Sequence, residues 1–364
     1  MRRRYVTLDG LRGVAAIMVV LFHSGNGTSS FYPRFGYLAV DLFFILSGFV
    51  LTYRYEKQFE HGMKPTAFLA IRAIRLYPLY LFGLMLGAAT VFLNSDIAPP
   101  SFTSVATSIG LNLFGFPSLV EFAIAPAAAL RNQYVFSLNP PLWSIFFEFW
   151  VANAVFASLI GKLTNWKRLA ALILVSAVGL IVCERLFYTL SIGWLWKDFI
   201  GGFPRVMFSF FSGLALARLH FSRPPTLRLP SWLFVAALPI LLSLPFEGKL
   251  ARLYELFCVL IVFPAFIYWG AEAIEYKPKL GAVLGDVSYA VYAIHFPLWL
   301  LFSWSILRFG IHLDLVIQLL FVSIVLSVAS VLRVADAKLR AKVLRTWQRD
   351  RARIQSGDLV AKNV

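Results

Sequence analysis

The chain has 364 residues, of which 59% are hydrophobic, 16% are aromatic and only 14% are charged. Soluble domains are about 45–50% apolar and about 25% charged, so this composition excludes a soluble protein with a single core. It also excludes a disordered or fibrous chain, because such chains lack apolar surface. The formal net charge of +16 is spread between hydrophobic segments, which favours anionic lipids and anionic ligands over nucleic acid as partners.

Hydrophobic runs long enough to cross a bilayer, about 20 residues each, recur along the chain. They predict ten spanning helices, at residues 10–28, 36–53, 76–94, 142–160, 169–190, 199–217, 231–246, 253–271, 282–304 and 315–332. A shorter apolar stretch at 102–116 is interrupted by Gly and bounded by Pro, which predicts a re-entrant or interfacial segment. The expected fold is therefore an all-α integral membrane protein with about ten transmembrane helices.

The distribution of positive charge predicts the orientation of these helices. With the N-terminus inside, 26 of the 34 Lys and Arg residues fall at inner ends and inner loops, as the positive-inside rule requires. Both termini are then cytosolic, with a transmembrane domain at residues 1–335 and a basic cytosolic tail at residues 336–364. Leu and Val recur at helical spacing in the tail, which indicates a helix on the membrane surface.

Ionisable side chains inside spans are costly and mark candidate functional sites. Arg12 and His23 are eleven residues apart in the first span, so they share one helix face and lie about 16 Å apart along it. Asp41 begins the second span at the depth of His23, where it would either orient the imidazole or cap its own helix. Arg72 and Arg75, near the inner end of the third span, suit a phosphate fork or a pair of lipid anchors.

Two later spans also carry polar side chains. Glu148 lies about one and a half turns below the outer surface in the fourth span, where a carboxylate is neutral unless it is paired. Trp143 precedes it and is also typical of an interfacial aromatic belt. In the ninth span, Tyr289, Tyr292 and His295 form a polar stripe at mid-membrane, although a histidine there also fits ordinary packing.

Taken in order, these motifs resemble the acyltransferase 3 family of membrane-bound O-acyltransferases. The segments that carry the resemblance are Leu8 to Gly13 with His23, Phe43 to Phe49, Arg72 to Pro78, Trp143 to Glu148, and Ser288 to His295. The resemblance implies transfer of an acyl group, usually acetyl, from cytosolic acyl-CoA to a hydroxyl of an extracytoplasmic carbohydrate or glycolipid. A bacterial inner membrane is the expected location. Many members have a further basic residue where this chain has Ile71.

The resemblance and the residues together give an expected site with three parts. The phosphates of acyl-CoA are expected to contact the arginines of two family motifs, Arg12, Arg72 and Arg75. His23 is the expected general base, with Asp41 or Glu148 orienting it or stabilising its imidazolium. The acceptor is expected to contact three ring-bearing side chains, Trp143, Tyr292 and His295. A covalent acyl-His23 intermediate and direct transfer both stay open.

A function of another class also stays open, namely a transporter or flippase for a lipid-linked glycan. In it, Asp41, Glu148 and His295 would form a proton relay. That function predicts inverted-repeat symmetry between the chain halves, which the sequence does not display. We predict no metal site, because the five histidines are scattered and the two cysteines lie in separate apolar runs.

Overall fold

The computed structural model describes residues 4–25, 30–93, 102–118 and 133–361, with side chains as far as residue 349. These ranges are helical and contain no β-strand. We number the helices α1 (Val6–Ser24), α2 (Ala39–Glu60), α3 (Pro65–Leu93), α4 (Phe102–Leu113), α5 (Pro140–Leu159), α6 (Trp166–Phe187), α7 (Gly202–Ser222), α8 (Ser231–Ser243), α9 (Gly248–Gly270), α10 (Pro278–Arg308) and α11 (Leu315–Ala361).

Nine of the helices in these ranges are long and apolar enough to cross a membrane, all except α4 and α8. This confirms the expected multi-span α-helical fold. Helix α6 shows the outer surface of such a fold, because its large side chains Leu174, Val175 and Val178 are 65%, 70% and 53% exposed. A surface of this kind is stable in lipid and not in water.

Helix α8 replaces the seventh expected span and has only 13 residues. It ends early because Pro245 forces an extended conformation on Leu244, whose φ and ψ are −60° and 139°. The backbone N–H of Ser231 donates to Ile274 near the start of α10, and Leu242 accepts from Phe35 beyond the end of α1. We call the end of the bundle where α1 begins the terminal end. The short helix α8 still connects this terminal end with the opposite end.

Glycines set the closest helix contacts in the bundle. Helix α1 packs along α10, where a Cβ on Gly13 would collide with Leu284 and a Cβ on Gly285 would lie 2.5 Å from that of Asp9. Helices α2 and α7 approach in the same way through Gly48 and Gly213. Small residues at such crossings are typical of membrane helices.

The short apolar segment predicted at 102–116 contains α4, which has 12 residues. The hydroxyl of Tyr80, midway along α3, donates to the carbonyl of Asn112 at 2.7 Å. The indole N–H of Trp150 on α5 donates to the carbonyl of Phe114 at 3.0 Å. These bonds attach the segment to α3 and α5 and satisfy backbone carbonyls at its C-terminal end. Whether the segment is re-entrant or interfacial stays a prediction.

Helix α11 continues without a break from its membrane-spanning part to Ala361. The boundary predicted between residues 335 and 336 therefore falls inside a helix. As far as Ala361, the basic tail is therefore part of the same helix as the last span and not a separate helix.

Candidate functional site

A cavity of about 660 Å³ extends inward from the terminal end between α1, α2, α3, α5, α10 and α11. One face of α2 lines it from Arg54 near the mouth to Val40 at depth. These two residues are 14 positions apart, which corresponds to about 21 Å of helix. Ser144 and Tyr292 line the deep end. The cavity therefore reaches from one end of the bundle well into its interior.

Positive charge dominates the wall of the cavity. It is lined by seven arginines (Arg4, Arg12, Arg54, Arg72, Arg75, Arg333 and Arg340) and four carboxylates (Asp9, Glu148, Asp286 and Asp336). The formal excess is three positive charges. Arg54 and Arg75 make no side-chain hydrogen bond or ion pair within the part of the chain that the structure describes. Such a wall favours an anionic ligand.

Two of the three predicted donor arginines have carboxylate partners that the sequence did not reveal. Arg12 forms an ion pair with Asp9 at 3.1 Å and donates to the carbonyl of Gly285 at 2.6 Å and to the hydroxyl of Ser288 at 2.9 Å. It thereby joins α1 to α10 at the cavity wall. Arg72 is paired with Glu148, whereas Arg75 forms no direct ion pair in the described ranges and has Asp336 only at longer range.

Glu148 lies on the cavity wall in the middle of the bundle. Its Oε1 accepts from Arg72 at 2.7 Å and from the hydroxyl of Ser47 at 2.6 Å. The expectation that Glu148 lies beside His23 was wrong. The depth of a residue along its own helix does not determine which side chain of a neighbouring helix it faces, and here that side chain is Arg72. A widened π-helical turn at Phe147–Asn153 carries the residue, and such turns are frequent at functional sites.

Asp41 does not orient His23 either, because Arg205 takes both of its carboxylate oxygens. Arg205 donates to Asp41 at 2.7–3.1 Å, and the two side chains are 1% and 0% exposed. Arg205 also lies 5.2 Å from the ring of Trp143, which is buried there and does not line the cavity. The predicted contact failed because Arg205, 164 positions from Asp41 along the chain, occupies both oxygens of that carboxylate.

The structure does bring His23, His295 and Tyr292 together. The two histidine rings are 5.0 Å apart, and the ring of Tyr292 lies 5.7 Å from that of His295. The hydroxyl of Tyr292 contacts Ser144 at 2.6 Å. Neither histidine lines the cavity. The histidine pair therefore lies one side chain beyond the deep end of the cavity, towards the opposite end of the bundle.

Aromatic side chains surround His23 on the side away from the cavity. Phe22 lies 5.2 Å from His23 and stacks on Tyr32 with 5.4 Å between ring centroids. Phe31 and Tyr32 are both 39% exposed. The pair thus lies between a cationic cavity on one side and partly exposed rings on the other.

Sequence reasoning missed several residues of this arrangement: Ser47, Arg54, Arg205, Asp336 and Arg340. A signal for Arg205 was present, because a buried carboxylate such as Asp41 requires a cation and few arginines lie within spans. Asp336 and Arg340 line the cavity from α11. Only the continuity of that helix places them there, so they could not be read from hydrophobic patterning.

Residues 5–333 of the chain match the acyltransferase 3 family, whose description is an acyltransferase domain. A Rhizobium radiobacter protein named protein 2 in the picA locus is 37% identical over 191 residues, 50% of this chain and 96% of that protein. BcsY of Komagataeibacter xylinus, named as a candidate membrane-bound transacylase, is 28% identical over 179 residues, 48% of this chain and 42% of its own.

A Staphylococcus aureus protein named as a candidate O-acetyltransferase is 33% identical over 99 residues, 26% of this chain and 16% of that protein. No solved structure matches the chain. The family match covers most of the helices that build the cavity, including every arginine motif residue and both histidines. The chain therefore belongs to the acyltransferase 3 family and is a membrane-embedded acyltransferase.

Proposed function

We propose that the protein transfers an acetyl or other acyl group from cytosolic acyl-CoA to a hydroxyl of a carbohydrate or glycolipid on the far side of the membrane. The observation that carries this proposal is the cationic cavity, in which Arg54 and Arg75 form no direct ion pair among the described residues. Coenzyme A bears several phosphate charges, and guanidinium groups are the preferred partners of phosphate. Arg75 is the residue best placed to receive them.

The dimensions of the cavity support the same donor. Phosphates near Arg54 and Arg75 would leave the pantetheine arm to extend along α2 towards Ser144 and Tyr292. The length of α2 that lines the cavity, about 21 Å, is greater than the distance of about 16 Å along α1 between Arg12 and His23. An extended arm is of that order, so its thioester would reach the wall beside the histidine pair.

The chemistry requires a base for the acceptor hydroxyl, stabilisation of the developing oxyanion and exclusion of water. His23 supplies the base, and the acceptor sugar would approach it past Phe31 and Tyr32 from the opposite end. Glu148 balances the charge of Arg72 in the cavity wall. Donor and acceptor would thus meet from opposite sides of the membrane.

The orientation in the membrane forms a separate part of the proposal. The relatives named above are bacterial, which supports a bacterial inner membrane with the terminal end in the cytosol. Reporters fused after Lys57, Arg168 and Arg228 should then be cytosolic, and reporters after Ser191 and Gly248 external. An external reporter after Arg168 would contradict this orientation.

A proton-relay transporter receives no support from the contacts. A relay needs its ionisable groups within hydrogen-bond reach of one another. Asp41 is held by Arg205, Glu148 by Arg72, and His295 by His23. The three groups that would form the relay therefore belong to three separate clusters.

Binding of acetyl-CoA to the purified protein in lipid nanodiscs tests the proposed donor site. Arg75→Ala should weaken binding about tenfold, which corresponds to about 1.4 kcal/mol. Arg75→Lys should restore only part of the affinity, because ammonium cannot contact phosphate through two parallel hydrogen bonds. Arg308→Ala is the matched control, since Arg308 ends α10 at the opposite end.

A second preparation tests the transfer itself. Inverted vesicles from cells that contain the protein should release CoA from labelled acetyl-CoA and retain the label in carbohydrate or glycolipid. Equal affinity of the Arg75→Ala and Arg308→Ala variants would refute the donor site. Label that stays in acetyl-CoA in wild-type vesicles would refute acyl transfer from this donor.

A further inference from the structure

His23 and His295 form a contact that uses neither of the carboxylates expected to serve the base. The Nδ1 atom of His23 lies 3.3 Å from the Nε2 atom of His295. Asp41 and Glu148 are engaged with arginines on other helices. The imidazole of His23 therefore has another imidazole where a carboxylate was expected.

Two backbone carbonyls determine which nitrogens carry protons. A carbonyl can only accept, so a ring nitrogen that hydrogen-bonds to it must be protonated. His295 Nδ1 lies 2.8 Å from the carbonyl of Tyr292, and His23 Nδ1 lies 2.9 Å from the carbonyl of Val19. In neutral rings, His295 Nε2 is then an acceptor and His23 Nε2 has a free lone pair.

The geometry points to His295 as a positioning residue for His23, an inference that rests on the proposed acyl transfer. His295 Nε2 accepts part of the hydrogen bond from His23 Nδ1–H and so keeps the proton on that nitrogen. His23 Nε2 is thereby held unprotonated and turned away from His295, ready to act as the base. His295 does the orienting work that the sequence assigned to a carboxylate, and it does so without adding a negative charge.

The role of the pair in the transfer step can be written atom by atom. The acceptor hydroxyl oxygen forms a bond to the acyl carbon while its proton moves to His23 Nε2. The bond between the acyl carbon and the sulfur then breaks, and the same proton passes to the departing CoA thiolate. Throughout the step, His23 Nδ1 keeps its proton and His295 Nε2 accepts from it, most strongly while His23 is an imidazolium.

Two replacements of His295 separate this role from simple packing. His295→Gln keeps an acceptor, Oε1, near the position of Nε2, whereas His295→Leu fills similar space with no acceptor. We expect His295→Leu to lower kcat for CoA release by at least about tenfold, with acetyl-CoA affinity within twofold of wild type. His295→Gln should keep most of kcat. His312→Gln is the matched control, because His312 is exposed beyond α10.

Nitrogen NMR of protein labelled only at histidine gives a readout that packing alone would not move. Wild-type protein should show His23 with a protonated Nδ1 and an unprotonated Nε2, assigned by loss of its signals in His23→Ala. The Val19 carbonyl remains in the His295→Leu variant, so we expect that variant to show a mixture of the two tautomers, whereas the His295→Gln variant should retain the wild-type preference. Because this readout needs no substrate, it can be scored even if the proposed function fails.

The outcomes are distinguishable. Wild-type kcat in the His295→Leu variant, or an unprotonated His23 Nδ1 in wild-type protein, would refute the role of His295. Equal loss of kcat in the Gln and Leu variants would also refute it, since only the acceptor distinguishes them. The expected tautomer in a wild-type protein that transfers no acetyl group would support the pair while refuting the proposed function.

Discussion

Two buried ion pairs, Asp41 on α2 with Arg205 on α7 and Arg72 on α3 with Glu148 on α5, have different roles. Arg205 uses all three of its nitrogens, binding Asp41 and the carbonyls of Ile192 and Tyr37, and its side chain is 1% exposed. Arg72 makes one ion-pair contact, to Glu148, and its Nε is buried without a partner among the described residues. Glu148 is 14% exposed on the cavity wall.

The difference lies in how fully each pair is satisfied. A buried charge whose hydrogen bonds are all made contributes to a single conformation, whereas one with unused capacity is available to a ligand or a reaction. The Asp41–Arg205 pair joins α2 to α7 and to two loops at the opposite end of the bundle. The Arg72–Glu148 pair leaves hydrogen-bonding capacity beside the cavity. We therefore expect the first pair to determine stability and the second to determine activity.

Removing one member of the Asp41–Arg205 pair should have the largest effect on stability. Arg205→Met or Asp41→Ala leaves an uncompensated buried charge and should cost about 3–5 kcal/mol. Thermal or denaturant unfolding in detergent measures this loss. The double variant Asp41→Leu with Arg205→Met should recover a large part of it, because no charge then remains unpaired. Single variants as stable as wild type would show that the pair does not hold the fold.

Glu148→Gln should lower turnover while leaving the stability of the fold unchanged, the opposite of what we expect for the Asp41–Arg205 pair. The amide keeps the shape and the hydrogen bond from Ser47 but no longer balances Arg72, so we expect kcat to fall about 10²-fold. CoA release by inverted vesicles and thermal unfolding measure the two effects. Glu247→Gln is the control, since Glu247 is 75% exposed at the opposite end. A Glu148→Gln variant that loses stability as severely as Arg205→Met would erase the distinction between the pairs.

Lysine in place of each arginine compares the two pairs directly. Arg205→Lys keeps the charge but loses the fork that contacts Asp41 and two carbonyls, so we expect about 1.5–3 kcal/mol of lost stability. Arg72→Lys keeps one cationic nitrogen that can pair with Glu148, the only ion pair that Arg72 makes among the described residues, and should cost less than about 1 kcal/mol. Equal losses of unfolding free energy in the two variants would indicate that both pairs serve the fold alike.

Ser47→Ala should produce the smallest effect. It removes one of the two hydrogen bonds that Glu148 accepts, worth about 0.5–1.5 kcal/mol, and kcat should fall less than about tenfold. Ser323→Ala removes a comparable hydroxyl from an exposed position on α11 and should leave CoA release unchanged. A fall in kcat as large as that of Glu148→Gln would mean that Ser47 does more than position the carboxylate.

The sequence predicted most of the spans because the length of a hydrophobic run reports directly on the thickness of the bilayer. It also placed Arg12 and His23 on one face, because both lie on a single helix. It failed wherever the answer depended on which helices are neighbours. Asp41 and Arg205 are 164 positions apart, and no periodicity within α2 could indicate that pairing.

The same limit explains the other differences. Pro245 ends α8 early because it restricts the backbone of Leu244. Hydropathy averaged over a window of residues does not detect such a local restriction. The partner of His23 is on α10 and not on the helices that carry Asp41 and Glu148. The depth of a residue along its helix limits its contacts to residues at the same height in the bundle, but it does not determine which neighbouring helix the side chain faces. Residues on one helix could thus be related to each other, and residues on different helices could not.

The widened turn at Phe147–Asn153 changes the angular phase of α5. Each residue of an α-helix advances about 100° around the axis, and each residue of the wider turn advances less. These differences in rotation add up over the seven residues of the turn. The side chains before and after the turn are therefore offset by an angle that a regular α-helix of the same length would not give. Glu148 therefore faces the cavity while Phe156 still packs between Phe68 and Phe210. Deleting one residue from this turn would restore the narrower winding and rotate one of these side chains out of its place.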